Sequence, residues 1–333
     1  MKSFKIILGL LSVILLMVIV SCGTEVAQQP EKSEKESIIY PEKEADKKTQ
    51  TEPKPEEFTP INFANNLQAT LEKTEVNDAL KMFDDIPEEY KEDYDINLMH
   101  ASLLVSAGDV QQAAEVSQKL IEKDPNNVDV LFLNSMIAKK AGDTKKRTEL
   151  LNKIISIEPN NSDALLEMAH DQMNKKKPNY KNARKLYEKS LKSNEHQLEA
   201  WIGYGQSSYY LREDDIAKKA FEKVLEKDQN YSMAYAFLAK LSAEEGKFIE
   251  TTEYIKKAIE LDEDYYDYWI DCGQYLKSRG KITESIECWT KAIELNPDYF
   301  LSYVYRSSAY DELEQYDKSI EDYRKIISLN PKY

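Results

Sequence analysis

The residues of this 333-residue chain whose types could do chemistry are few apart from its carboxylates: three cysteines, three histidines and 60 acidic side chains. Cys272 and Cys288 stand sixteen positions apart near the end of the chain, and Cys22 closes an apolar run at its beginning. An oxidising compartment permits a disulfide between Cys272 and Cys288, but buried free thiols are the reading the sequence favours. His100, His170 and His196 recur at no common spacing and make no ligand set. Carboxylate pairs such as Asp84-Asp85, Glu88-Glu89 and Asp214-Asp215 are expected at this acidic content and read as solvated ends of elements. Gly246-Lys247 and Gly280-Lys281 lack the upstream glycine of a phosphate-cradling loop, and no His-Glu-x-x-His, Gly-x-Ser-x-Gly or Cys-x-x-Cys occurs. The chain is therefore expected to be no enzyme and to hold no metal or cofactor.

The elements around these residues should be helical. Nine glycines and eleven prolines are few, while Lys, Glu, Leu, Ile, Ala and Tyr are abundant. The net charge is −15, and residues 60–333 hold 37 basic against 50 acidic side chains. A surface of that sign repels phosphate backbones, so nucleic acid is not an expected partner.

Lys2 and Lys5 precede an uncharged run from Ile6 to Val20, which is short for a membrane span and suited to a signal-peptide core. The run ends in Ile19-Val20-Ser21-Cys22, which resembles the bacterial lipobox. That resemblance implies cleavage before Cys22 and acylation there. With about 0.8 kcal/mol per buried methylene, two or three acyl chains would anchor the protein to a membrane. Residues 1–22 are thus expected to be a lipoprotein signal peptide. Gly23 follows the cysteine where Asp would favour inner-membrane retention, so the outer membrane of the cell envelope is the preferred address. The outer face of a Gram-positive cytoplasmic membrane stays open. Residues 23–59 carry ten acidic and six basic side chains without sustained apolar periodicity and are expected to form a disordered tether reaching about 30 to 35 Å.

From residue 60 the sequence repeats. Asp-Pro-Asn-Asn at 124–127 returns as Glu-Pro-Asn-Asn at 158–161, and Asn-Pro-Asp-Tyr at 296–299 returns as Asn-Pro-Lys-Tyr at 330–333, each with an offset of 34. Windows of that length tile 60–333, with two extra residues in the fourth, within 175–179. Position 8 is small (Ala101, Ser135, Ala169, Gly205, Ala239, Gly273, Ser307) and position 24 is bulky (Phe83, Leu151, Tyr187, Phe221, Ile255, Trp289, Tyr323), so two helices can approach closely and fill the space between. Gly108, Gly142, Gly246 and Gly280 share position 15, where the first helix must end. Pro125, Pro159, Pro297 and Pro331 close the second helix. Ser117 at position 24 and Arg147 at position 20 depart from the pattern and should loosen packing. All three Trp and the junction tyrosines Tyr231, Tyr265, Tyr299 and Tyr333 read as packing residues.

This pattern resembles the tetratricopeptide repeat. It implies an all-α solenoid of about eight helix-turn-helix units in a right-handed superhelix, with a degenerate first repeat at 60–93 and seven repeats over 94–333. In that family the first helix of each repeat lines an inner wall at positions 2, 5, 9 and 12. Position 2 holds Asp95, Asp129, Asp163, Glu199 and Asp267, a ladder that caps helices and can also orient a basic ligand. The other inner positions supply Leu98, Phe132, Met136, Leu166, His170, Met173, Ile202, Gln206, Tyr209, Lys240, Ile270 and Gln274. The apolar members form a stripe that either belongs to the core or covers a partner. The carboxylate clamp of chaperone-binding relatives is disfavoured, because Leu98 and Ser102, or Phe132 and Met136, stand where its Lys and Asn would be.

Ile320 and Ile327 on the last helix lack a following polar cap, so docking of a partner or self-association at that end is expected. The resulting expectation is a membrane-anchored scaffold or assembly factor of the envelope that binds protein or peptide in a concave groove. The alternative is a ligand-binding accessory lipoprotein of a solute transporter, which needs a closed pore lined by Phe132, Met136, Ile202 and Tyr209.

Overall fold

A computed structural model describes residues 58–333 of the chain. The expected signal peptide with Cys22, and nearly all of the expected tether, lie outside the described residues. The chain divides between Pro159 and Asn160 into two compact units. Sixteen α-helices and no strand occur among the described residues.

The first unit holds α1 (Pro60–Leu71), α2 (Val76–Leu80), α3 (Tyr94–Ala107), α4 (Val110–Lys123), α5 (Val128–Lys140) and α6 (Thr144–Ile157). Its first repeat is irregular. After the five residues of α2 the chain passes through two 3-10 turns, Lys81–Phe83 and Glu88–Tyr90, because Pro87 between them brings no N–H and cannot continue a helix. Phe63, Leu67, Phe83, Ile96, Met99 and Leu103 form the core there. His100 stacks on Phe83 with ring centroids 4.4 Å apart, and burial lowers its pKa, so it is a packed side chain.

Asx side chains start four of the helices of the first unit. Asp93, Asp109, Asn127 and Asp143 each accept from the backbone N–H three residues on, at 2.9 to 3.1 Å. The helix α5 is buried over nine consecutive residues, Val130 to Ala138.

Two expected weak points in this unit are instead filled. Ser117 is fully buried and donates to Asn134 Oδ1 at 2.9 Å, while Asn134 Nδ2 donates to the Val130 carbonyl at 2.9 Å. Arg147 is 3% exposed and donates to the Ser135 carbonyl at 3.4 Å. Polar side chains with partners replace the missing apolar volume, so the packing is not loosened.

The second unit holds five helical pairs: α7 (Ser162–Met173) with α8 (Tyr180–Ser193), α9 (Leu198–Tyr210) with α10 (Asp214–Lys227), α11 (Ser232–Glu244) with α12 (Phe248–Leu261), α13 (Tyr266–Ser278) with α14 (Ile282–Leu295), and α15 (Phe300–Glu312) with α16 (Tyr316–Leu329). The two extra residues of the fourth repeat fall in the loop between α7 and α8.

The small-against-bulky pairing is literal here. A Cβ placed on Gly205 would lie 2.7 Å from Phe221 Cε1, and one on Gly273 would lie 2.4 Å from Trp289 Nε1. Gly203, two residues before Gly205, lets Tyr187 of the preceding repeat approach in the same way. The turns at position 15 need the left-handed region, which Gly246 and Gly280 enter at φ of 73° and 74°. Arg212 and Glu314 occupy the same position without being glycine, at φ of 62° and 55°.

Aromatic residues at position 4 also tie three repeats of the second unit to the one before. Trp201 Nε1 donates to the Glu195 carbonyl at 3.0 Å, Trp269 Nε1 to Glu263 at 2.8 Å, and Tyr303 Oη to Pro297 at 3.1 Å. Each donor reaches six residues back, over the turn that joins the repeats.

Candidate binding face

The inner-wall residues separate into buried and accessible sets. Leu98, Phe132 and Met136 in the first unit, and Leu166, Ile202 and Ile270 in the second, are each at most 6% exposed. They are core, and the expected apolar stripe does not form a surface. Leu166 packs with Ala169, Tyr187 and Ala200, and Ile202 packs with Phe221, Val224 and Phe237. The first helices are apolar on more than one side, so position 5 is used for burial rather than for a wall. Met173 is partly buried against the Leu166 cluster, and Tyr209 against the Ile202 cluster.

The accessible set is polar. Asp129 of the first unit is exposed. In the second unit Asp163 accepts from Gln197 Nε2 at 2.6 Å, and His170 lies 3.8 Å from Glu167 Oε1 with its ring edge-on to Tyr187. Glu199 is half-buried in the first turn of α9.

Three successive first helices, α9, α11 and α13, carry a bonded network. Tyr209 Oη donates to Glu244 Oε1 at 2.7 Å, and Arg212 Nη1 reaches Glu244 Oε2 at 2.6 Å. Gln206 Nε2 approaches Met233 Sδ at 3.0 Å. Lys240 pairs with Asp271 on the next repeat. Gln274 is exposed and, with Glu244, Tyr275, Phe248 and Arg279, borders a cleft of about 330 Å³.

The electrostatics of this face favour a cation. Burial raises the pKa of Asp271 even though Lys240 opposes the shift, and burial together with the Asp271 charge raises that of Asp267. The hydroxyl of Tyr209 is pushed up by burial and then by its bond to Glu244. Two carboxylates held in a partly dehydrated place gain when a positive charge arrives.

Asp271, Glu244 and Tyr275 stand at positions 6, 13 and 10, beside the inner-wall positions 2, 5, 9 and 12, so the repeat pattern does not single them out. Arg212 stands at position 15, where the pattern signals only a turn. The signal was present as a run of polar and aromatic side chains one step along each first helix.

Tyr231 and Tyr265 are partly buried as packing residues, whereas Tyr333 is 69% exposed and only touches a neighbouring ring. Tyr265 lies 4.6 Å from Tyr268, Tyr299 lies 5.3 Å from Tyr266 and Tyr333 lies 5.2 Å from Phe300, measured between ring centroids. Burial raises the Tyr231 and Tyr265 hydroxyls to about 12.

Family models described as tetratricopeptide repeat match residues 96–127, 266–299 and 302–333. No curated protein matches the chain in sequence. Among solved structures, that of the APC/C hetero-tetramer Cut9-Hcn1 is similar with a TM-score of 0.62 at 12% identity, over 82% of this chain and 53% of that one. The pilF protein of Pseudomonas aeruginosa is similar at 0.55 and 16% identity, over 68% of this chain and 99% of that one. PilW, described as a type IV pilus biogenesis factor, is similar at 0.54 and 16% identity, over 62% and 95%. At these identities the likeness is one of fold. The matched repeats, the 34-residue period and the all-helical pairs agree: the chain carries tetratricopeptide repeats, at 96–127, 266–299 and 302–333, within an all-α array of helical pairs.

Proposed function

We propose that this protein is an envelope scaffold, tethered through acylated Cys22, that binds a basic extended segment of a partner protein on the α9, α11 and α13 face of its second unit. The observation that carries the reading is the network of accessible polar and aromatic side chains there: Tyr209, Glu244 and Arg212, then Lys240 and Asp271, flanked by Asp267 and Gln274. Residues of this kind are costly to hold on a partly buried surface unless their bonds can be shared with a ligand. Acidic groups whose charged forms are disfavoured by burial are discharged by Lys or Arg, and the tyrosines supply flat apolar area beside them.

The tether would raise the local concentration of the face near the membrane without adding a contact. A small apolar ligand finds less support, because Phe132, Met136 and Ile202, which a pore for it would need, are packed inside.

The test is fluorescence anisotropy of a labelled, unstructured Lys- and Tyr-containing peptide against the purified chain. Its Glu-for-Lys counterpart serves as control. The reading expects saturable binding of the basic peptide, a loss of about tenfold or more in a Glu199→Lys, Asp267→Lys variant that keeps its helical circular dichroism, and no binding of the acidic peptide. Equal binding of both peptides, or an unchanged affinity in the variant, would remove it. The tether is tested separately: Cys22→Ser should release the protein from the membrane fraction.

A further inference from the structure

Cys272 on α13 and Cys288 on α14 face each other across the helical pair of the seventh repeat, with their sulfurs 2.8 Å apart. Both are free thiols in the structure. The separation is within about 0.8 Å of a sulfur–sulfur bond length. The backbone brings them there for a reason visible one residue on. Gly273 has no Cβ, and the Trp289 ring occupies the space a Cβ would need, so the two helices approach closely in this turn. Besides Cys22 the chain has no other cysteine, so both remaining thiols sit at this one point.

The same two places in the following repeat, counted from its first residue, are Arg306 and Asp322, and there they are joined by two hydrogen bonds. The site between positions 7 and 23 thus holds a bonded cross-helix pair in both of the last two repeats.

We propose that Cys272 and Cys288 form a disulfide staple that closes the α13–α14 hairpin when the protein meets a disulfide-form oxidant, either a small-molecule disulfide or a thiol–disulfide oxidoreductase. Cys272 is the more exposed thiol, partly open to solvent while Cys288 is 7% exposed, so the oxidant reaches Cys272 first. The contact between the two sulfurs lowers the pKa of Cys272 and, together with burial, raises that of Cys288, so the thiolate forms first at Cys272. The Cys272 thiolate attacks one sulfur of the oxidant R–S–S–R, forming a mixed disulfide and expelling one thiolate. Cys288 then loses its proton and displaces the second thiolate from Cys272. Two protein thiols and one R–S–S–R become one protein disulfide and two R–SH, with two electrons passed to the oxidant. The closed loop contains the Gly280 turn, so the staple holds the hairpin against opening at that turn.

The staple does not rest on the binding proposal or on the envelope address, because it is read on purified protein with added oxidant. The full chain is treated with a small-molecule disulfide, denatured, alkylated without reductant, digested and weighed. The expected result is a joined peptide pair containing Cys272 and Cys288 that separates on reduction, with thermal unfolding several degrees higher in the oxidised chain and unresponsive to oxidant in Cys272→Ser. Alkylation of both cysteines in full would overturn the proposal. So would a persisting mixed disulfide on Cys272, or a joined pair in which Cys22 is the partner.

Discussion

Arg306 and Asp322 face each other on α15 and α16, and the carboxylate receives both the Nε and the Nη2 of the guanidinium, at 2.9 and 2.7 Å. The remaining Nη1 donates to Thr290 Oγ1 at 3.0 Å on the preceding repeat, and the Tyr303 and Tyr310 rings lie 5.8 Å from the guanidinium carbon. Asp322 is 4% exposed, so the pair is fully dehydrated on the acidic side. One charge cannot be removed without stranding the other. Arg306→Met should therefore destabilise the second unit by about 3 to 5 kcal/mol, read as a lower midpoint in urea. A cost under about 1 kcal/mol would mean that water reaches Asp322.

Gly273→Ala and Gly205→Ala should each cost about 1 to 3 kcal/mol, because the new methyl group meets the Trp289 or Phe221 ring inside contact distance and neither helix can withdraw without losing its core. Gly246→Ala acts differently. It meets no atom within 4 Å but holds the residue at positive φ, so its cost comes from the backbone alone.

Glu314→Gly should stabilise the chain by about 1 kcal/mol by relieving the left-handed conformation that four of the other repeats assign to glycine. Calorimetry of the variant checks the sign. Arg212→Gly is not expected to gain as much, since Arg212 also holds Glu244.

Much of the fold was legible in the sequence because a 34-residue period records packing directly. Gly205 over Phe221 and Gly273 over Trp289 are pairs that the small and bulky positions already named. The broken second half of the first repeat was legible only as degeneracy, since its 3-10 turns depend on where Pro87 falls. The face was less legible. Position 5 residues such as Leu166 and Ile202 were candidates for a wall, yet each is buried in the core of its own repeat and the next. Burial of a first helix on more than one side depends on how its neighbours stack, which no single repeat encodes. Ser117 with Asn134 shows the same limit, because a polar pair seventeen residues apart has no periodic signature.

The raised pKa values of Asp267 and Asp271 set a pH dependence for binding. Each carboxyl holds its proton more tightly in the folded protein than the ordinary value near 4 allows. Their contribution to stability is therefore fully present below that value and declines as pH rises through the raised one. A bound Lys or Arg favours the ionised carboxylates, so affinity for the basic peptide should rise with pH across the same interval and then level off, with protons released on binding. Titration calorimetry in two buffers of different ionisation heat measures that release. Asp267→Asn should reduce it and flatten the pH profile.

Hydrogen exchange of the purified chain with and without the basic peptide tests the location of the binding face most directly. Added protection should fall on α9, α11 and α13 and at the turn holding Arg212, leaving α10, α12 and α14 unchanged. Protection confined to the second helices of the pairs, or to the first unit, would contradict it.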